Sequence, residues 1–185
     1  MNGKGTEGHR LNRLFTREQI ASIVQGLADQ ISRDYDGREL VLVCILKGAF
    51  VFLSDLIRHL RISAQVDFVR LASYGSGMKT CGKIEITKDV EIPLEKKDVL
   101  IIEDIIDSGR TLRFLKDRLA LLKPRSIKVC ALLDKKSRRE VEMKADYLGT
   151  DVDDIFIVGY GIDFNEYYRH LPEIYYVTPI DHSKE

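Results

Sequence analysis

The chain has 185 residues, with 29 basic and 29 acidic side chains and no formal net charge at neutral pH. That length suits a single domain, residues 1–185, with a substantial core, and the balanced charge excludes the broad positive field of a general nucleic-acid binder. A small-molecule ligand is expected, and no nucleic acid. Cys44 and Cys130 sit in apolar runs and Cys81 in a polar stretch, with no CxxC spacing, so neither a disulfide framework nor a zinc site is expected. This suits a reducing cytoplasm. The opening MNGKGTEGHR has no apolar signal region, and the longest apolar stretch, Val41 to Leu53, is broken by Lys47 and too short to span a bilayer. A soluble cytoplasmic protein is the expectation.

Residues 1–10 read as a flexible tail. Thr16 and Gln19 then form a capping box, followed by Ile20, Ile23, Val24, Leu27, Ala28 and Ile31 at helical spacing. Asp36-Gly37 ends that helix. Leu40 to Leu46 reads as a buried strand, Gly48 to His59 as an amphipathic helix and Ala64 to Leu71 as a second strand. Residues 73–83 are rich in Gly, Ser and Thr and form a candidate mobile lid; a β-hairpin loop is the plainer reading. Strand and helix recur through Val99 to Leu122, Ile127 to Leu133 forms another apolar strand, and Ile155 to Val158 and Ile174 to Val177 are short strands. The alternation predicts an α/β fold with a mostly parallel central sheet flanked by helices. In such sheets ligands gather at strand carboxyl ends, which brings Lys47, Asp104 and the Lys135 loop toward one crevice.

The segment VLIIEDIIDSGRTL, Val99 to Leu112, carries the most chemistry. Its four apolar residues are those of a strand covered on both faces. Glu103 and Asp104 follow, then Asp107-Ser108-Gly109-Arg110-Thr111 open a helix with Leu112, Leu115, Leu119 and Leu122 on one face. Free N–H groups at that helix start, with the Ser108 and Thr111 hydroxyls, can hold a phosphate. The carboxylates accept hydrogen bonds from hydroxyls and bind hard cations. A ribose 5-phosphate with magnesium meets both demands. GxxxxGK[ST] and GxGxxG are absent. The plainer alternative is an ordinary strand and helix whose Asp107 or Ser108 only caps the helix.

VLIIEDIIDSGRTL resembles the diphosphosugar-binding signature of type I phosphoribosyltransferases, and the form EDIIDSGRTL is most similar to their hypoxanthine-guanine branch. LKGAF from Leu46 to Phe50, SYGS from Ser73 to Ser76 and VGYGIDFNEYYRHLPEIYY from Val158 to Tyr176 extend the likeness over most of the chain. Ser108, Arg110 and Ala49 are small departures that keep the required hydroxyl, charge or smallness. The resemblance implies a small hood built from terminal segments and a lid led by Ser73 and Tyr74. It implies transfer of a phosphoribosyl group from 5-phosphoribosyl 1-diphosphate to N9 of a 6-oxopurine, with Mg2+ as cofactor and a dimer or tetramer as the assembly. Glu103 and Asp104 then hold the ribose or its metal, and Asp107 faces purine N7 as base. Asp107, Ser108, Gly109, Arg110 and Thr111 bind the 5-phosphate, and Lys47, Gly48 and Arg169 the pyrophosphate, with a Leu46–Lys47 peptide that is often cis. Lys144 reaches the 6-oxo group, Phe156 stacks on the base, Ile157 offers backbone groups and Asp163 helps hold the second metal beside pyrophosphate, next to the purine. Lys135-Lys136-Ser137-Arg138-Arg139 reads as a solvated basic loop, with an RNA-contacting patch of a non-catalytic regulator as the alternative. A transferase for xanthine or a pyrimidine is the other alternative.

Overall fold

The computed structural model describes residues 9–74 and 83–180. Its larger sheet has six strands in the order β4-β3-β2-β5-β6-β7: β2 (Leu40–Leu46), β3 (Ala64–Tyr74), β4 (Lys83–Lys88), β5 (Asp98–Ile106), β6 (Ser126–Asp134) and β7 (Tyr147–Asp151). All neighbours are parallel except β3 and β4, which pair antiparallel. A second sheet, β1-β9-β8, is antiparallel and joins the two ends of the chain: β1 (His9–Phe15), β8 (Ile157–Val158) and β9 (Ile174–Pro179). This is the hood the resemblance implied. Among the described residues no helix is long and apolar enough to cross a membrane.

The unbroken apolar runs follow from burial on both sheet faces. Leu40, Leu42 and Cys44 of β2, with Leu100 and Ile102 of β5, pack in one core cluster with helices α1 (Arg17–Asp34) and α2 (Phe50–His59). Their neighbours Val41, Val43, Val99 and Ile101 pack in the other, with Leu112, Leu115 and Leu119 of α3 (Arg110–Ala120). The hood rests on the first cluster through Ile157, Tyr160, Ile162 and Ile174. Cys44 and Cys130 both pair with Ile102, one on each side of it. Two strand spacings of roughly 4.8 Å each hold them too far apart for a disulfide, and both thiols are buried and free.

Several boundaries differ from the sequence expectation. The capping box forms as read, with the Thr16 hydroxyl accepting from the Gln19 N–H and Gln19 Oε1 accepting from the Thr16 N–H. The first strand begins at His9, inside the segment expected to be a tail, because pairing with β9 supplies backbone partners that the local sequence does not advertise. The second helix starts at Phe50, after a Lys47–Ala49 turn. Strand β3 runs on to Tyr74, in register with Lys83, so Ser73 and Tyr74 lie in a hairpin arm; residues 75–82 of the expected lid, Cys81 among them, lie outside the described residues.

Two local constraints hold this frame. Asp67 of β3 is buried, and its Oδ2 accepts the N–H groups of Glu91 (2.6 Å) and Ile92 (2.8 Å) while Oδ1 accepts that of Phe68 (2.7 Å). Burial opposes its charge, but these three N–H donors and nearby Lys88 hold the carboxyl below the usual range. Gly149 of β7 has no room for a side chain: a Cβ there falls 2.4 Å from the Leu132 carbonyl oxygen and 2.8 Å from Ile23 Cγ2.

Replacing Asp67 with Asn puts an NH2 against N–H donors. The expected loss at pH 7 is on the order of 2 kcal/mol in urea unfolding. A depressed carboxyl gives stability above its unfolded value near 3.9 that is lost as pH falls below it, so the gap between wild type and Asp67→Asn narrows below about pH 4. Gly149→Ala is expected to cost about 1–3 kcal/mol in the same measurement, since the clash is with backbone and cannot be relieved by a rotamer change.

Candidate active site

At the carboxyl end of β5 the inward alternation slips by one residue. Ile102 packs in the α1/α2 cluster and Ile105 packs against it too, whereas Ile106 joins the α3 cluster. The slip falls after Asp104, so the ordinary alternation still sends Glu103 and Asp104 to opposite faces. Glu103 lines a cavity of about 150 Å³ together with Asp107, Ser108, Gly109 and Thr111. Asp104 faces the loop after β2, where a Cβ on Gly48 would fall 1.8 Å from its Oδ2. Only glycine fits there. The adjoining Leu46–Lys47 peptide is cis, as the resemblance implied.

Both acids resist ionisation. Burial, reinforced by the neighbouring Asp104 charge, pushes the Glu103 carboxyl well above the usual carboxylate range, and Glu103 Oε2 is buried with no hydrogen-bond partner among the described residues. Burial also lifts Asp104 to about 6, against the pull of the Ile105 N–H (2.9 Å) and the Arg169 charge. Such a pair calls for hydroxyl donors or a cation.

The phosphate-type turn is built around Gly109, which adopts a left-handed φ of 81° ahead of α3. Ser108 Oγ accepts from the Arg110 N–H at 3.4 Å. The Arg110 guanidinium pairs with Glu140 at 2.5 Å, so its side chain is engaged outside the turn. The basic run Lys135–Arg139 lies beside this turn, with Lys136, Ser137 and Arg138 exposed, as the solvated-loop reading expected, and Arg139 drawn inward. The Glu140 and Val141 N–H groups donate to the Ser108 carbonyl, and Arg139 bridges the buried Asp134 carboxylate and the Asp107 carbonyl. Arg138 Nε donates to Asp107 Oδ1 at 3.3 Å and its Nη1 lies 3.7 Å from Asp154. Lys136 pairs with Asp151 at 2.7 Å. With Lys136, Arg138 and Arg139 each paired to a carboxylate, nothing here supports the regulator alternative.

Opposite the acids lies the loop from Gly159 to Tyr168. Six of its residues, Gly159, Tyr160, Gly161, Asn165, Glu166 and Tyr168, have positive φ, a density of strained backbone typical of ligand sites. A Cβ on Gly161 would fall 2.3 Å from the Gly48 carbonyl oxygen, so the two loops meet backbone to backbone. Arg169 donates to the Gly161 carbonyl (2.8 Å) and pairs with Asp163 (2.8 Å). Glu166 joins the group through Lys47 (2.8 Å) and Arg169 (3.4 Å), and its N–H donates to Asp163 Oδ2 (2.8 Å). Asp163 thus belongs to the Lys47–Arg169 group rather than contacting Phe156. The Tyr160 hydroxyl anchors the loop by donating to Asp55 at 2.6 Å.

Phe156 is 49% exposed and is braced edge-on by Phe164 at 5.2 Å, which in turn meets His9 at 5.8 Å. Ile157 is buried in β8, the outer strand of the hood, so one strand edge stays unpaired there. Lys144 is exposed and makes no hydrogen bond or ion pair among the described residues; it follows Met143, whose Cβ lies against Gly109. Ser73 and Tyr74 lie at the far end of β3. A larger cavity, about 620 Å³, opens between α1, α2 and Leu171-Pro172, and apart from Arg169 it is lined by none of the expected site residues. Glu166 was given no role from sequence, and Arg138 and Arg139 only a place in the basic loop; the positive φ of Glu166 and the covering of Arg139 are visible only in three dimensions.

A family model described as the phosphoribosyl transferase domain matches residues 11–165. The hypoxanthine-guanine phosphoribosyltransferase of Aquifex aeolicus is 45% identical over 175 residues, covering 94% of this chain and 98% of that protein. The hypoxanthine phosphoribosyltransferase of Escherichia coli is 43% identical with the same coverage. A crystal structure of a hypoxanthine-guanine phosphoribosyltransferase from Bacillus anthracis superposes with a TM-score of 0.86 at 44% identity, covering 92% of this chain and 99% of that one. With fold, signature turn and these relatives in agreement along nearly the whole length, the chain belongs to the phosphoribosyltransferase family.

Proposed function

We propose that the protein transfers the 5-phosphoribosyl group from 5-phosphoribosyl 1-diphosphate to N9 of hypoxanthine or guanine, forming IMP or GMP and pyrophosphate in purine salvage. The observation that carries this reading is the pair Glu103 and Asp104, the first with an unpartnered buried oxygen, set between the Gly109 turn and the Lys47–Arg169 cations. The names of the relatives supply the choice of a 6-oxopurine.

In this reading the 5-phosphate enters the cavity lined by Asp107, Ser108, Gly109 and Thr111, where the first N–H groups of α3 favour an anion. Glu103 and Asp104 hold the ribose hydroxyls or a metal. Breaking the C1′–O bond leaves negative charge on the departing diphosphate, which Lys47 and Arg169 are positioned to offset. Asp107 takes or shares the proton at purine N7; Arg138 occupies its Oδ1 and fixes the direction of the carboxylate. Phe156 supplies the stacking face, Ile157 an open strand edge and Lys144 a cationic donor that prefers an oxo to an amino group. Ser73 and Tyr74 lead the lid that excludes water.

Magnesium fits this donor set. It is held by one or two carboxylates with substrate oxygens and water, and Glu103 Oε2 is a hard donor without a partner. No three His, Cys, Asp or Glu groups gather to hold a metal alone among the described residues, in keeping with a cation shared with substrate. Asp163 contributes only by loosening its contact with Arg169. When bound, Mg2+ supplies charge neutralisation at the diphosphate. A cytoplasmic location and a homo-oligomer, dimer or tetramer, complete the reading; exposed Phe50 and Ile57 on α2 give an apolar face for self-association.

Mixing the protein with magnesium, the diphosphosugar and single nucleobases tests the assignment by ultraviolet absorbance. Hypoxanthine and guanine are expected to react and adenine to remain unchanged; turnover of a pyrimidine alone overturns the base choice. Asp107→Asn is expected to lower the single-turnover rate by roughly 10²–10⁴-fold. An unchanged rate removes Asp107 from the role of base.

A further inference from the structure

The two cations assigned to pyrophosphate already share an anion. Glu166 Oε2 lies 2.8 Å from Lys47 Nζ and 3.4 Å from Arg169 Nη2, bringing together residues more than a hundred positions apart. Hydrogen bonding from Lys47, then from Arg169, holds the Glu166 carboxyl below the usual range, so it is anionic at neutral pH. Its attachment is asymmetric. The backbone is fixed, since the Glu166 N–H donates to Asp163 Oδ2 and its φ is a strained 68°. The side chain is 63% exposed and can swing into solvent without disturbing the core.

Arg169 does not depend on Glu166 for its position. Its guanidinium is also held by Asp163 at 2.8 Å and by the Gly161 carbonyl at 2.8 Å. Lys47 differs: Glu166 is its one side-chain partner among the described residues. An anion with more charge than a carboxylate, entering between Lys47 and Arg169, takes over both contacts, and Glu166 is the group it must displace.

We propose that Glu166 is an affinity-determining residue of the diphosphate site, an internal anion that occupies the Lys47–Arg169 pair in the free protein and competes with diphosphate for it. This rests on the reading of Lys47 and Arg169 as diphosphate ligands. The competition keeps two like charges close together while the site is empty, and it eases release of pyrophosphate by offering both cations a replacement anion as the product leaves.

Isothermal titration calorimetry with inorganic pyrophosphate at fixed magnesium tests it. Glu166→Gln keeps the backbone bond to Asp163 and the side-chain length but removes the charge. Pyrophosphate is expected to bind about two- to fivefold more tightly, the range of one exposed ion pair, and the KM for the diphosphosugar is expected to fall by a similar factor. Unchanged or weaker binding overturns the proposal. Lys47→Ala separates the two levels of inference. If it does not weaken pyrophosphate binding, the assignment of the diphosphate site has failed and the proposal fails with it. If Lys47→Ala weakens binding while Glu166→Gln leaves it unchanged, only the competition is wrong.

Discussion

One carboxylate and two glycine backbones meet where no further side chain fits. Asp104 at the end of β5 abuts Gly48, and the Gly48 carbonyl abuts Gly161, with imagined Cβ atoms falling 1.8 and 2.3 Å from their neighbours. Overlap of that depth is far inside van der Waals contact, so a side chain at Gly161 pushes two loops apart and one at Gly48 drives the Asp104 carboxylate from its place. The contact joins a strand end, a helix-leading loop and the strained loop of the hood. Through it, residues 47, 104 and 169 come within one crevice although the chain separates them widely. The rest of the site inherits its geometry from this junction.

Charge is distributed across the junction unevenly. On the β5 side, Glu103 and Asp104 are half-buried, Glu103 with one oxygen unpartnered among the described residues, and burial holds their protons more tightly than in ordinary carboxyls. On the hood side, Lys47, Asp163, Glu166 and Arg169 form a closed set of ion pairs. The unsatisfied half costs folding stability, a common signature of a site prepared for a ligand. The proposed sugar diphosphate and its cation would answer both halves, bringing hydroxyls and metal to the acids and phosphate oxygens to the cations.

How legible this was in the chain depended on whether a feature was local. The runs of β2, β5 and β6 announce two-sided burial by themselves, and the Thr16–Gln19 capping box marks α1 from its own spacing. Strands β1, β4 and β7 gave no such signal. Tyr147–Asp151 contains a glycine and two polar residues and becomes a strand because β6 offers it a parallel edge; His9–Phe15 needs β9, at the other end of the sequence. Within the exposed basic run Lys135–Arg139, the inward turn of Arg139 was not legible for a related reason. A basic run reads as solvated until its partners are known, and Asp107, Asp134, Asp151 and Asp154 come from three separate stretches of chain. Resemblance supplied what local physics did not, namely the positions of Lys144, Phe156 and Asp163.

The division of the fold into two sheets separates two demands of the proposed reaction. Sugar and phosphate are common to phosphoribosyl transfer, and the ligands proposed for them, Glu103, Asp104 and Gly109, sit on or beside the central parallel sheet, whose strands are buried on both faces. The base varies, and the platform proposed for it, Phe156 and Ile157, belongs to the small hood, where an outer strand and a half-exposed ring leave surface free to change. The segment between β6 and β7 serves both, with Arg139 clamped on the Asp107 carbonyl and Lys144 set beside Met143. Arg138, reaching Asp107 with one nitrogen and Asp154 with another, spans the same gap from the signature turn to the residues just before Phe156. Base recognition can therefore be altered on the hood with the transfer machinery intact only where that bridge is kept.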